Sequence, residues 1–159
     1  MTLPEIISDA LIPAFVILPE PMDSATARVM LLTIGQQESR FLYRRQVNGP
    51  AKGFWQFEQG GGVKGVINHP STSSHCRNLA RARGVDFTAP AIFNALEFDD
   101  VLAAGVARLL LFADSKPLPA IKDAEACWDC YVRNWRPGRP HRDTWDAFHA
   151  EALKAVEKS

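Results

Sequence analysis

Residues 38–57 read "ESRFLYRRQVNGPAKGFWQF", and the pattern changes halfway through them. The run before them, "ATARVMLLTIGQQ" (25–37), has helical apolar spacing, whereas Gly49, Pro50 and Gly53 make the later half irregular. Glu38 is the only carboxylate in the stretch, and the five residues before it hold no Lys or Arg. Helical spacing places it on one face with Ala27, Leu31 and Ile34, so an apolar stripe ends in an acid. It also closes the helix, where the macrodipole disfavours a carboxylate. Burial and dipole both raise its pKa. A carboxylic acid still protonated near neutral pH can protonate a leaving-group oxygen. The other reading is a frayed-end acid paired with Arg44 or Arg45, and spacing alone leaves both open.

Working outward, Asp23 or Ser24 caps the helix predicted over 24–39. Before it, Pro4, Pro13, Pro19 and Pro21 make residues 1–22 a proline-rich segment, predicting a short helix that ends near Pro13. After it, residues 48–70 hold six glycines and read as loops around a short irregular hairpin. Helices are predicted over 73–83 and 89–97. Asp99 or Asp100 opens "VLAAGVARLLLFA", apolar nearly all round with Arg108 its single charge, so this helix is expected at the centre of the core. Two more helices, 122–135 and 143–157, flank the loop "RPGRPHR". The fold class is mainly α with one small β-hairpin element. All of 1–159 is expected to form a single domain, with residues 1–22 packed on it.

Composition narrows the function. Apolar residues make up 47% and charged residues 23%, as in an ordinary soluble globular protein. Eighteen basic and eighteen acidic side chains cancel, which gives no case for a nucleic-acid partner. Arg133, Arg136, Arg139 and Arg142 nevertheless recur within ten residues, either as a patch for an anionic partner or as a solvated loop. The start "MTLPEIISDA" has no basic region, so no signal peptide is expected. The most apolar run, "ALIPAFVIL", is too short and too broken by Pro13 for stable membrane insertion. Three cysteines exclude a fully paired disulfide framework. "CWDC" (127–130), with Cys76, His75, His69, His141 or His149, offers zinc ligands, but no second tight pair exists. Buried structural thiols on one helix face are the other reading of Cys127 and Cys130. No metal and no cofactor is expected.

The residues after Glu38 add a family resemblance. Glu38-Ser39 is followed by Phe41, then by Gly53 and Gln56 at fifteen and eighteen residues after the Glu, with "GFWQ" over 53–56. In this the chain resembles the lytic transglycosylase family of the lysozyme-like superfamily, known by a helix-closing "ES" and a "G-x-x-Q". A third family motif, "AYN-G-PGR", is approximated by Tyr131, Asn134 and "RPGR" (136–139), although Tyr and Asn are adjacent in the family and three apart here. The resemblance spans residues 24–145 and is closest to phage-encoded members. It implies a lysozyme-like α-helical domain acting on bacterial peptidoglycan, with Glu38 catalytic. It further implies Ser39, Gly53, Trp55, Gln56, Glu58, Tyr131 and Asn134 around the substrate. Such a protein is made in the bacterial cytoplasm and acts on the cell wall, either carried with phage virion or tail proteins or released at lysis.

Residue chemistry fits this independently. A glycan groove needs apolar platforms and a few amides, and Phe54, Trp55 and Phe57 flank Gln56, although each aromatic also reads as core. Gly60 to Gly62 would let backbone approach a ligand or merely form a flexible turn. A hydrolase normally uses two carboxylates, and Glu58 is the nearest in sequence after Glu38, unless it is simply an exposed acid. The resemblance implies a route with one. There, the Glu protonates the glycosidic oxygen and then takes the proton of the sugar's own 6-hydroxyl, closing a 1,6-anhydro ring. A hydrolytic muramidase and a non-catalytic glycan-binding virion module are the rival expectations.

Overall fold

Ser24 starts the helix that carries Glu38: its hydroxyl accepts from the Ala27 N–H at 3.1 Å, and α3 then runs Ala25–Ser39. The computed structural model describes every residue from Met1 to Ser159, and the architecture is mainly α. In chain order the helices are α1 (Leu3–Ile6), α2 (Ile12–Ile17), α3, α4 (Lys64–Asn68), α5 (Ser73–Ala82), α6 (Ala89–Ala95), α7 (Asp100–Phe112), α8 (Ala124–Trp135) and α9 (Arg142–Glu157). Helix α7 is the central element, capped by Asp99, whose carboxylate accepts from the Leu102 N–H at 2.9 Å. Its residues Val101 to Leu109 are all buried, Arg108 among them. Arg108 donates to the Met22 carbonyl at 2.8 Å and lies over the Phe112 ring, and burial lowers its pKa. Helix α9 packs along α3, while α2, α3, α4 and α5 gather round α7. Gly105 lets α5 approach α7 closely, since a Cβ there would overlap Leu79. One cluster of 38 buried residues runs from Ile6 in α1 to Ala152 in α9. No helix is long and apolar enough to cross a membrane.

Two sequence expectations are corrected. The first helix does not stop near Pro13. A π turn over Ile7–Leu11 links α1 to α2, with the Ile12 N–H bonded to the Ile7 carbonyl. The wider turn makes room for the proline ring, so Pro13 sits in the first turn of α2, where a missing N–H costs little. The expected β-hairpin is not a strand pair either. It reduces to two isolated antiparallel bridges, Arg45 with Lys52 and Lys52 with Phe57. The glycine run is a kinked turn over Gln59–Val63, with Gly61 outside helical geometry (φ −100°, ψ −105°), and it leads into α4. Gly62 is required there by packing, because a Cβ would overlap the Phe57 ring.

Phe41 shows how tightly the chain turns after α3. Arg40 ends the helix in the left-handed conformation (φ 57°), and Phe41 follows at φ 52°. The Phe41 ring then folds back against Gly35, where a Cβ would overlap its Cζ and Cε1 atoms. Gly→Ala inside a helix ordinarily adds up to about 1 kcal/mol of stability. At Gly35 the Phe41 ring must instead move, and Gly35→Ala is expected to lose roughly 1–3 kcal/mol in urea unfolding. A stabilised variant would show that Phe41 does not seat there.

Candidate active site

Glu38 sits one residue before the end of α3 and faces a cleft of about 1080 Å³. One wall is the irregular segment with Gln56, Phe57 and Glu58; the other is the end of α8 with Tyr131, Asn134 and Trp135. No cation pairs with Glu38. Arg44 is committed to Asp100 at 2.8 Å, Arg45 to Glu97 at 3.0 Å, and Arg40 lies 4.5 Å over the Phe148 ring. The Tyr131 hydroxyl donates to Glu38 Oε1 at 2.7 Å. Burial dominates and lifts the Glu38 carboxyl to about 7, against the lowering effect of the Tyr131 bond. Tyr131 is itself buried, and burial, followed by the neighbouring Glu38, raises its pKa, so its hydroxyl stays protonated.

The elements around Tyr131 fix its position. Its ring stacks on Trp145 at 5.1 Å and 17°, with Trp128 at 5.4 Å. Trp145 is fully buried and donates to the Ala124 carbonyl at 2.9 Å, which ties α9 to the start of α8. Gln37, next to Glu38, donates to the His141 carbonyl at 2.9 Å and accepts from the Thr144 hydroxyl at 3.0 Å. The helix carrying the acid is thereby joined to the loop that closes the cleft.

The expected site residues divide. Glu38, Gln56, Glu58, Tyr131 and Asn134 all line the one cleft. Gln56 sits in the left-handed conformation (φ 52°) and donates to the Gly53 carbonyl at 2.8 Å, leaving its amide oxygen free. Asn134 gives its amide N–H groups to Asp114 at 2.9 Å and to the Cys130 carbonyl at 2.8 Å. Asp114 also binds Arg133 at 2.6 Å. Burial works to raise the Asp114 carboxyl, but Arg133, Asn134 and the Lys116 N–H outweigh it and hold it at about 2.

Ser39, Gly53 and Trp55 do not line the cleft. Ser39 is buried, donates to the Gly35 carbonyl at 3.2 Å and accepts from the Phe41 N–H, so it shapes the helix end. Gly53 is needed for its backbone: it has φ 76°, and a Cβ would press on the Leu96 carbonyl at 3.0 Å. Trp55 is fully buried, its indole donating to the Leu31 carbonyl at 2.8 Å, so it cannot serve as a sugar platform. Phe54 is likewise buried, 5.4 Å from Phe41. The aromatic that does reach the cleft is Trp135, half-buried and tilted against Phe57 at 5.7 Å. Its indole donates to the Trp55 carbonyl at 2.9 Å, which joins the two walls. Its spacing of four from Tyr131, on one face of α8, was the signal available in the sequence.

Cys76, Cys127 and Cys130 are free and buried, and no group of three His, Cys, Asp or Glu side chains is placed to hold a metal ion. Burial pushes the Cys76 and Cys127 thiols up to about 12. No family model matches the chain, and comparisons with curated proteins and with solved structures give no significant match.

Proposed function

We propose that the protein is a lysozyme-like lytic transglycosylase. It cleaves the β-1,4 bond between N-acetylmuramic acid and N-acetylglucosamine in bacterial peptidoglycan. The observation behind this reading is Glu38, a carboxyl lifted to about 7 in a cleft, with no cation beside it and a tyrosine holding one oxygen. An acid poised near the working pH suits proton transfer in both directions. Glu38 gives its proton to the glycosidic oxygen as the bond to C1 breaks, and the substrate's own acetamido oxygen stabilises the oxocarbenium-like carbon. The Glu38 carboxylate then takes the proton of the 6-hydroxyl while O6 bonds to C1. No water is consumed. Tyr131 steadies the carboxylate through Oε1 and leaves Oε2 for the reacting proton.

A hydrolytic muramidase is the second reading, favoured by Glu58, an exposed carboxylate lining the same cleft. The products separate the two. Glu38 acting alone yields muropeptides ending in 1,6-anhydro-N-acetylmuramic acid, lighter by one water than reducing-end products. Water activated by Glu58 yields reducing ends, and Glu58→Gln is then nearly as damaging as Glu38→Gln. We expect anhydro ends in the mass spectrum and a mild Glu58→Gln phenotype. Reducing ends alone would overturn the transglycosylase reading.

A further inference from the structure

The loop between α8 and α9 brings Arg136, Arg139 and His141 to the rim of the same cleft. Arg28, Arg44, Arg45, Arg83, Arg133 and Arg142 each pair with a carboxylate, whereas Arg136 and Arg139 have no such partner and are exposed. Arg40, Arg77, Arg81 and Arg108 also lack a carboxylate partner, but of the unpaired arginines only Arg136 and Arg139 line the cleft. Within the cleft, Arg133 is neutralised by Asp114, and Glu58 is the one carboxylate facing the two free guanidinium groups besides Glu38. Below about pH 7 Glu38 is held protonated, so Glu58 alone opposes the two guanidinium groups and the cleft carries surplus positive charge there.

Backbone conformation adds a second observation. Arg136 ends α8 in the left-handed region (φ 49°, ψ 55°), a position where glycine is the low-cost residue. Arg40 ends α3 the same way, but its guanidinium gains the Phe148 ring. Arg136 has no such compensation inside the protein. Strain kept at an exposed arginine on a cleft rim points to a partner outside the chain. Pro137 and Pro140 flank the second arginine and limit the freedom this loop loses on binding.

We propose that Arg136 and Arg139 form an anion subsite that grips an acidic group carried by the glycan, a carboxylate of the stem peptide or a phosphate of a wall polymer. The proposal rests on the reading of the cleft as a glycan site, and it adds that the enzyme prefers decorated strands to bare ones. Each guanidinium group presents five N–H donors in a planar fork that suits a carboxylate or phosphate.

Binding by the Glu38→Gln protein tests this with three soluble ligands: strands bearing stem peptides, peptide-free strands bearing a phosphodiester polymer, and uncharged N-acetylglucosamine oligomers. Introducing Arg136→Gly and Arg139→Gln together should lower the ratio of charged-strand to uncharged-oligomer affinity roughly five- to tenfold, the scale of two exposed ion pairs. The loss should disappear in high salt. Which charged ligand shows it identifies the anion. Arg136→Gly alone should melt at the same temperature as the parent or higher, which excludes misfolding as the cause. An unchanged ratio on both charged ligands, with oligomer binding retained, overturns the subsite and leaves the glycan reading standing. Binding to none of the three by the parent protein overturns both.

Discussion

Glu38→Gln is expected to abolish cleavage of peptidoglycan, with a loss of roughly 10²–10⁴-fold set by the removal of a general acid, while the protein stays folded. The amide oxygen can still accept from Tyr131, so the cleft geometry survives the exchange. Turbidity of a peptidoglycan suspension reads the loss directly. Clearing that continues at the parent rate would show Glu38 to be a bystander, as a glycan-binding virion module requires. The pH profile gives a finer test. Activity needs the protonated acid at the start of the cycle, so the alkaline limb should fall with a midpoint at about 7. Tyr131→Phe removes the one interaction that lowers this pKa, so the limb should move to higher pH.

Stability follows the same group with a definite sign. The Glu38 pKa is higher in the folded chain than in the unfolded one, so between about 4.5 and about 7 the folded state holds more protons. The contribution of Glu38 is most favourable below that window and falls as pH rises through it. Glu38→Gln should therefore match the parent near pH 4 and exceed it at pH 8 by about 1–3 kcal/mol. A variant less stable than the parent at pH 8 would contradict a carboxyl strained by burial.

Trp55→Ala carries the largest expected cost in stability, roughly 3–5 kcal/mol, a large share of the 5–15 kcal/mol that holds an ordinary domain. The indole is fully buried, meets Phe41 edge-on at 5.7 Å and bonds the Leu31 carbonyl inside α3. The loss therefore combines a cavity with a broken hydrogen bond. It should appear as a lower urea midpoint, together with weaker substrate binding because Gln56 adjoins it. A variant that keeps its stability but loses glycan binding would return Trp55 to the cleft as a platform.

The two roles of the aromatic stretch were not separable in sequence. Phe54, Trp55 and Phe57 surround Gln56 without a helical or strand period, so nothing local says which ring points inward. The decision is tertiary: Trp55 inserts against α3, while Trp135, eighty residues later, reaches the cleft. Helices were legible where apolar spacing and caps agreed, as in α3 with Ser24 and α7 with Asp99. Reading failed where backbone geometry absorbed a usual breaker. The π turn admitted Pro13 into a continuing helix, and Gly62 is set by the packing of the Phe57 ring. Of the residues that line the cleft, Glu38 stood out in sequence as the acid ending an apolar stripe, while Gln56 and Tyr131 were named only through the family resemblance. The charge network of Asp114 was not legible, because its partners Arg133 and Asn134 lie about one full helix away along the chain.

Ribosomal synthesis meets this molecule in an inconvenient order. Helix α3 leaves the ribosome early, yet what holds it arrives last: Tyr131 is 93 residues after Glu38, Thr144 is 107 after Gln37, and Glu151 is 115 after Gln36. At ordinary elongation speeds the nascent α3 waits roughly 6–20 s for α9. Until then Glu38 has no tyrosine to orient it and no opposite wall to exclude water. The second wall of the cleft is supplied only from Tyr131 onward, so fragments that stop before it carry the acid without its surroundings.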